Sequence, residues 1–234
     1  MKKILIFSAT YNESENINLF IETVLEVNNK ISLDLLIIDD NSPDKTWELI
    51  NSYQKNNKNI ILIKRQGKEG LDTAHKLAFK YAVENDYDYL VTLDADMSHD
   101  PLKIPDFINE LENKPFVIGS RYMEGGKNEM KLKRFLLSAL GNLIIKFVLS
   151  INCSEFTSSF RGFNLKVLKN FDINNVNSKG YSFFMETVYL VNLTGNEIKQ
   201  IPIQFKDRRK GKSKIPKIEL LRTLKNLILL KIKK

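Results

Sequence analysis

The sequence predicts an α/β fold, a mostly parallel sheet flanked by helices, and three observations carry that prediction. Five apolar runs, at residues 4–7, 35–38, 60–63, 89–93 and 116–118, have the unbroken character of strands buried on both faces. Segments of helical period lie between them, the alternation of a right-handed wound sheet. The chain of 234 residues, 43% hydrophobic, can bury one sizeable core, with neither an internal repeat nor a Pro/Gly/Ser linker to divide it.

The first run enters a polar loop, Thr10-Tyr11-Asn12-Glu13, and a helix is expected at once. Asn12 suits an N-cap, Glu15 completes a capping box, and Ile17, Phe20, Ile21, Val24 and Leu25 recur at helical spacing. The second run ends in Asp39-Asp40-Asn41-Ser42-Pro43-Asp44, where Ser42 can cap a helix with Pro43 at its first position. Asp39 at that strand end suits a base amide or a ribose hydroxyl, whereas Asp44 reads as a turn or cap residue. Helical patterns follow over residues 73–83 and around 107–111.

The fourth run leads into Asp94-Ala95-Asp96. In an open α/β sheet the carboxyl ends of the strands open onto the ligand crevice. On an extended chain Asp94 and Asp96 point to the same side and can share one hard cation that keeps positions for substrate phosphates. The alternative is a solvated strand-to-loop turn. No strand leads into G-x-G-x-x-G or G-x-x-x-x-G-K-[ST], which disfavours dinucleotide dehydrogenases and P-loop enzymes.

The net charge of +8 is uneven: residues 206–234 hold 12 basic and 2 acidic side chains, net +10, and the preceding 205 residues are net −2. Interleaved with those cations, Ile215, Ile218, Leu221, Leu224, Leu227, Ile228, Leu230 and Ile232 form an apolar stripe. This predicts a C-terminal amphipathic helix that lies on an anionic membrane surface or packs on its own domain. Residues 135–151 are apolar but interrupted by Asn142 and Lys146 and short for a span, so a membrane-surface helix is preferred over a core-packing one. Met1-Lys2-Lys3-Ile4 has no cleavable signal pattern, so a cytoplasmic protein is expected. Cys153, the single cysteine, reads as a small buried residue. His99 reads as a turn-supporting loop residue and His75 receives no role.

Together these stretches resemble the dolichyl-phosphate or polyprenyl-phosphate mannosyltransferase branch of family two inverting glycosyltransferases, which have the GT-A fold. The resemblance covers nearly the whole chain: Thr10 to Glu13 with Asn16-Ile17, Asp39 to Asp44, Gly70-Leu71 with Thr73-Ala74, and Asp94 to Pro101. It continues through Gly119 to Tyr122, Thr157 to Arg161, Gly180 to Phe183 with Glu186, and Asp207-Arg208 with Gly211, Ser213 and Lys214. It implies a GT-A-like single domain: a nucleotide-sugar-binding half at 1–120, an acceptor half at 121–214 and a basic amphipathic tail at 215–234. Thr10, Tyr11, Glu13 and Asp39 would hold the nucleoside side of the donor. Asp94, Ala95 and Asp96 would hold the diphosphate, with Asp94, Asp96 and Ser98 on Mg²⁺ or Mn²⁺. Arg121, Arg208, Ser213 and Lys214 would serve donor or acceptor phosphates, and Asp96, Arg121, Arg208 and Lys214 would carry the catalysis.

Four positions depart from the family pattern: Ala9 replaces Pro, Asp72 replaces Gly, Ser98 stands where some relatives carry Gln, and Leu137-Ser138-Ala139 lacks the Arg of a Ser-Arg pair, a role Arg134 could take. The chemistry agrees with the resemblance. A lipid phosphate is already anionic, so it needs cations to meet an anionic donor rather than a general base, and the basic run from Lys206 to Lys214 supplies them. Glu186 is read as orienting the acceptor side or Arg208. The expected activity is transfer of a hexose, mannose from GDP-mannose, to a polyprenyl or dolichyl phosphate at the cytoplasmic membrane face, with no nucleic acid as partner. Alternatives are another sugar nucleotide such as UDP-glucose, a saccharide acceptor, or a non-catalytic nucleotide-binding scaffold.

Overall fold

The computed structural model describes residues 2–207, 210 and 219–232. Strands β1 (Ile4–Thr10), β2 (Asp34–Asp39), β3 (Ile60–Lys64), β4 (Tyr89–Thr92) and β5 (Phe116–Ser120) coincide with the five apolar runs. Between them lie α1 (Ile17–Asn28), α2 (Thr46–Asn56), α3 (Leu71–Glu84) and α4 (Ile104–Leu111). The second half adds β6 (Lys127–Asn128), α5 (Leu132–Leu149), β7 (Arg161–Asn164), α6 (Tyr181–Leu193), β8 (Ile198–Pro202), β9 (Gln204–Phe205) and α7 (Glu219–Ile232).

Seven strands form one sheet in the order β3-β2-β1-β4-β7-β5-β8, with β6 and β9 pairing separately. Only β7 among the seven runs antiparallel to its neighbours. Side-chain alternation on each strand separates two cores. Ile4 and Ile6 of β1 join Leu35 and Ile37 under α1 and α4, while Leu5 and Phe7 join Leu36 and Ile38 under α3 and α6. Each such fully buried large apolar side chain contributes roughly 1.5–3 kcal/mol.

Two helices begin later than their capping signals suggest. Asn12 has φ 56°, in the left-handed region, and α1 starts only at Ile17 after Asn16. Ser42 and Pro43 likewise precede α2, which starts at Thr46 behind Lys45 at φ 63°. The reason is competition for the same side chains: Asp39 takes both the backbone N–H of Ser42 (2.8 Å) and its hydroxyl (2.7 Å), so Ser42 closes the strand end instead of capping a helix. Asp44, one residue before the N-cap position Lys45, accepts at Oδ1 from Thr46 N (3.1 Å) and Oγ1 (2.6 Å). Burial alone would raise the Asp44 carboxyl, but these bonds and others from Ser14 hold it below its ordinary value.

The apolar stretch around residues 135–151 is α5, an exposed helix: Leu132, Leu136, Leu140, Leu143 and Phe147 form a stripe at i, i+4, i+8, i+11 and i+15, with Phe147 85% exposed. The C-terminal helix α7 packs on its own domain along one side and leaves apolar side chains exposed along the other. Leu227 and Leu230 are buried in the core shared with α5 and α6, whereas Leu224, Ile228, Leu229 and Ile232 are exposed. Among the described residues no helix is long and apolar enough to cross a membrane.

Candidate functional site

The carboxyl ends of β1, β2 and β4 meet where helices on one sheet face give way to helices on the other, and the predicted donor residues lie there. Thr10 and Asp39 are register partners on adjacent strands, and Thr10 donates its hydroxyl to Asp39 Oδ2 (2.7 Å). With Ser42 also bound, Asp39 is fully buried and its Oδ1 accepts from Ser42 N. Glu13 is buried: its Oε2 accepts from Asn16 (2.9 Å), and its backbone N–H is held by Thr46 (2.9 Å). Tyr11 is half-buried, with the Lys68 ammonium 4.5 Å from its ring centroid. The Ala95 side chain packs into the core.

β4 ends at Thr92, and Ala95 and Asp96 lie in a turn, so the two acids are not on the extended chain expected from the sequence. Asp96 Oδ1 accepts from Ser98 N (2.9 Å), an Asx turn that places Met97 at φ 63°. Asp94, with a side chain 40% exposed, lies 3.8 Å from His99 Nδ1. Burial lowers the His99 pKa to about 4 against the opposing pull of Asp96, so the imidazole is neutral. The Ser98 hydroxyl and His99 Nε2 are buried and have no hydrogen-bond partner among the described residues. A buried, unpartnered hydroxyl beside two carboxylates fits a hard, oxygen-seeking cation whose remaining positions go to phosphates. Among the described residues there is no group of three or more His, Cys, Asp and Glu that could hold a metal, so substrate oxygens would complete the sphere.

Across the crevice, Arg121 follows β5. Its Nε lies 2.9 Å from Oε2 of the fully buried Glu155, its Nη2 donates to Thr157 (3.3 Å), and its guanidinium sits 4.4 Å from the Phe205 ring. Burial opposes the Arg121 charge, but Glu155 and Tyr122 raise its pKa above the ordinary value. Tyr181, at the start of α6, is pushed up by burial and by the carboxylates of Asp94 and Asp96, with Arg134 and Arg121 pulling the other way. The same five residues therefore share one electrostatic neighbourhood. Arg134 also pairs with Asp207 (3.3 Å).

Several supporting residues were not evident from the sequence. Glu155 is the only charged residue between Phe147 and Phe160, a signal that was available. Arg161 is fully buried and donates to three backbone carbonyls, those of Ser158 (2.7 Å), Phe184 (2.8 Å) and Phe156 (2.9 Å); burial lowers its pKa to about 9. Arg65 pairs with Asp40 inside the fold and holds Gly70 O (3.0 Å), shaping the loop before α3. Asp72, where the family pattern has Gly, accepts from Gly180 N (3.2 Å) and so ties α3 to the start of α6. Glu186 holds the same segment from its other side, accepting from Asn177 N (3.1 Å) and Ser178 N (2.6 Å); Arg208, its expected partner, lies outside the described residues. His75 is a core residue ringed by Phe7, Phe183 and Phe184. His99 does more than support a turn: it packs on Phe160 and Phe205 and bridges the Phe205 backbone. Arg208, Ser213 and Lys214 lie outside the described residues.

Comparison with known proteins gives the family and the fold. Residues 6–171 match the profile of Glycosyl transferase family 2. An undecaprenyl-phosphate mannosyltransferase of Micrococcus luteus is 30% identical over 91% of this chain and 87% of its own. A polyprenol monophosphomannose synthase of Mycolicibacterium smegmatis is 30% identical over 92% of this chain and 81% of its own. Among solved structures, glucosyl-3-phosphoglycerate synthase from Mycobacterium tuberculosis, in complex with Mn²⁺, UDP-glucose and phosphoglyceric acid, superimposes with a TM-score of 0.69 at 16% identity, covering 99% of this chain and 79% of that one. At that identity the likeness speaks to the fold, which is GT-A-like.

Proposed function

The chain belongs to glycosyl transferase family 2, and from that premise we propose that it transfers mannose from GDP-mannose to a polyprenyl phosphate, with inversion, while resting on the cytoplasmic face of a membrane. The observation that carries this reading is a juxtaposition. The carboxylates of Asp94 and Asp96 and the guanidiniums of Arg121 and Arg134 lie in one neighbourhood, and Arg134 belongs to the first turn of α5, whose apolar stripe faces outward. A doubly anionic head group on a long apolar tail suits such a place.

Asp94, Asp96 and Ser98 would hold Mg²⁺ or Mn²⁺, which when bound neutralises charge on the leaving diphosphate. Thr10, Tyr11, Glu13 and Asp39 form the nucleoside end. A phosphate oxygen of the lipid attacks the sugar anomeric carbon from the face opposite the diphosphate. The bond from that carbon to the β-phosphate oxygen breaks, and its electron pair leaves on GDP. No proton has to be removed, because the attacking oxygen is already anionic. Arg121 donates to phosphate oxygen from a fixed position, and Arg134, Arg208, Ser213 and Lys214 bring the two anions together.

The test is a transfer assay with GDP-mannose, UDP-glucose and dTDP-glucose, each with Mg²⁺ or Mn²⁺ and a polyprenyl phosphate. The expected product is a lipid-linked mannose formed only with GDP-mannose and metal. A product from UDP-glucose alone would replace the donor, and no lipid product from any donor would overturn the acceptor.

A further inference from the structure

A groove of about 750 Å³ lies between the C-terminal ends of α5 and α7. Leu143, Phe147, Val148 and Ile151 give it apolar walls, and Lys146 and Lys231 are the charged residues on its lining. No acidic side chain lines it, and neither lysine makes an ion pair among the described residues. Leu143 and Phe147 are also the last two members of the exposed stripe of α5, so the groove is where that stripe ends.

We propose that this groove binds an anionic phospholipid, with the phosphodiester between Lys146 and Lys231 and one acyl chain along Leu143, Phe147, Val148 and Ile151. The inference rests on the membrane reading above and adds a defined lipid site to it. Charge complementarity selects the ligand: two ammonium groups, without an ion-pair partner among the described residues, at the rim of an apolar trough match one negative head group on a chain, and a zwitterionic head group would bring a cation of its own. The site is separate from acceptor binding. Lys146 lies 12 residues beyond Arg134 on the same helix, about 18 Å at 1.5 Å per residue. A polyprenyl phosphate whose head is being glycosylated near Asp94 and Asp96 therefore cannot place that same head in the groove. A lipid seated here would fix the azimuth of α5 on the membrane and hold the crevice at constant height above it.

The experiment titrates full-length protein with lyso-phosphatidylglycerol and lyso-phosphatidylcholine of equal chain length, below their micelle concentrations, and with glycerol phosphate. Saturable one-to-one binding of the anionic lipid is expected. At about fivefold per lysine it should be roughly 25-fold tighter than the zwitterionic lipid, and glycerol phosphate alone should bind far more weakly. Lys146→Gln with Lys231→Gln should erase the preference, whereas Phe147→Ala should weaken both lipids alike. Equal affinity for the two lipids, unchanged binding by the double lysine variant, or self-association through this face without lipid would each overturn the proposal. Failure of the glycosyltransfer reading shows elsewhere, as a missing product with every sugar nucleotide, and does not enter this titration.

Discussion

Arg121 and Glu155 form an ion pair, Nε to Oε2 2.9 Å, in which the acid is fully buried and its other oxygen accepts from Thr157 N, Thr157 Oγ1 and Ser158 N. The arginine therefore contributes directed N–H groups rather than surplus charge. Glu155→Gln leaves a buried cation without its counter-charge, and we expect a loss of about 3 kcal/mol in urea denaturation together with a transfer rate at least tenfold lower. Adding Arg121→Met to that variant should restore most of the stability and none of the activity. An unfolding midpoint unchanged by Glu155→Gln would show that the pair holds nothing.

Asp96→Asn keeps the side-chain oxygen that accepts from Ser98 N and removes the charge. Melting temperature should stay within a few degrees of wild type while transfer falls about a hundredfold or more, the cost of losing one electrostatic contact to the transition state. Mn²⁺ binding followed by electron paramagnetic resonance should weaken in parallel. Wild-type turnover in this variant would remove Asp96 from the site.

Burial holds the His75 pKa at about 3, well below the ordinary imidazole value of 6.5. The unfolded chain therefore binds a proton that the folded chain refuses. Stability from this group is complete above pH 6.5 and falls as pH drops from 6.5 towards 3, by about 1.4 kcal/mol per pH unit. His75→Phe, which suits the surrounding Phe7, Phe183 and Phe184, should flatten that part of the profile. Urea midpoints at pH 4, 5, 6 and 7 decide it.

The five parallel strands were legible because burial on both faces writes an unbroken apolar run, and Thr10, Asp39 and Asp94 could be placed at or just beyond the ends of those strands. What escaped was whatever depends on which polar group wins a contested partner. Ser42 carries a valid cap signal, yet Asp39 claims it, and no local pattern shows a contact that closes only in three dimensions. β7 was missed for the same reason: Arg161-Gly162-Phe163-Asn164 lacks strand periodicity and becomes a strand by fitting between β4 and β5. Glu155 could have been noticed as a solitary charge in an uncharged stretch, but its partner could not.

The Cys153 thiol donates to Glu155 O (3.0 Å), and burial raises its pKa to about 11. The native protein should react with a thiol reagent at pH 8 only at the rate of unfolding, and fully in denaturant. Rapid labelling of folded protein would show that the Cys153–Glu155 segment opens on its own.

Leu136→Glu with Leu140→Glu places two charges on the exposed stripe of α5 without touching the core. Co-sedimentation with anionic vesicles should drop severalfold at low salt while the melting curve stays unchanged. Deleting residues 217–234 should lower both, because Leu227 and Leu230 are buried against the rest of the domain. Full sedimentation of the α5 variant would place the membrane contact elsewhere.

The antiparallel position of β7 also has a bearing on how the chain is made. β1 to β4 complete a contiguous parallel unit, β3-β2-β1-β4, by Thr92, but the partner that covers the outer edge of β4 begins only at Arg161. For nearly 70 residues of synthesis that edge is an open ladder of N–H and C=O groups, able to recruit another nascent chain. The polar turn carrying Asp94 and Asp96 sits at its end and puts two charges beside that unpaired strand, where charge disfavours edge-to-edge pairing.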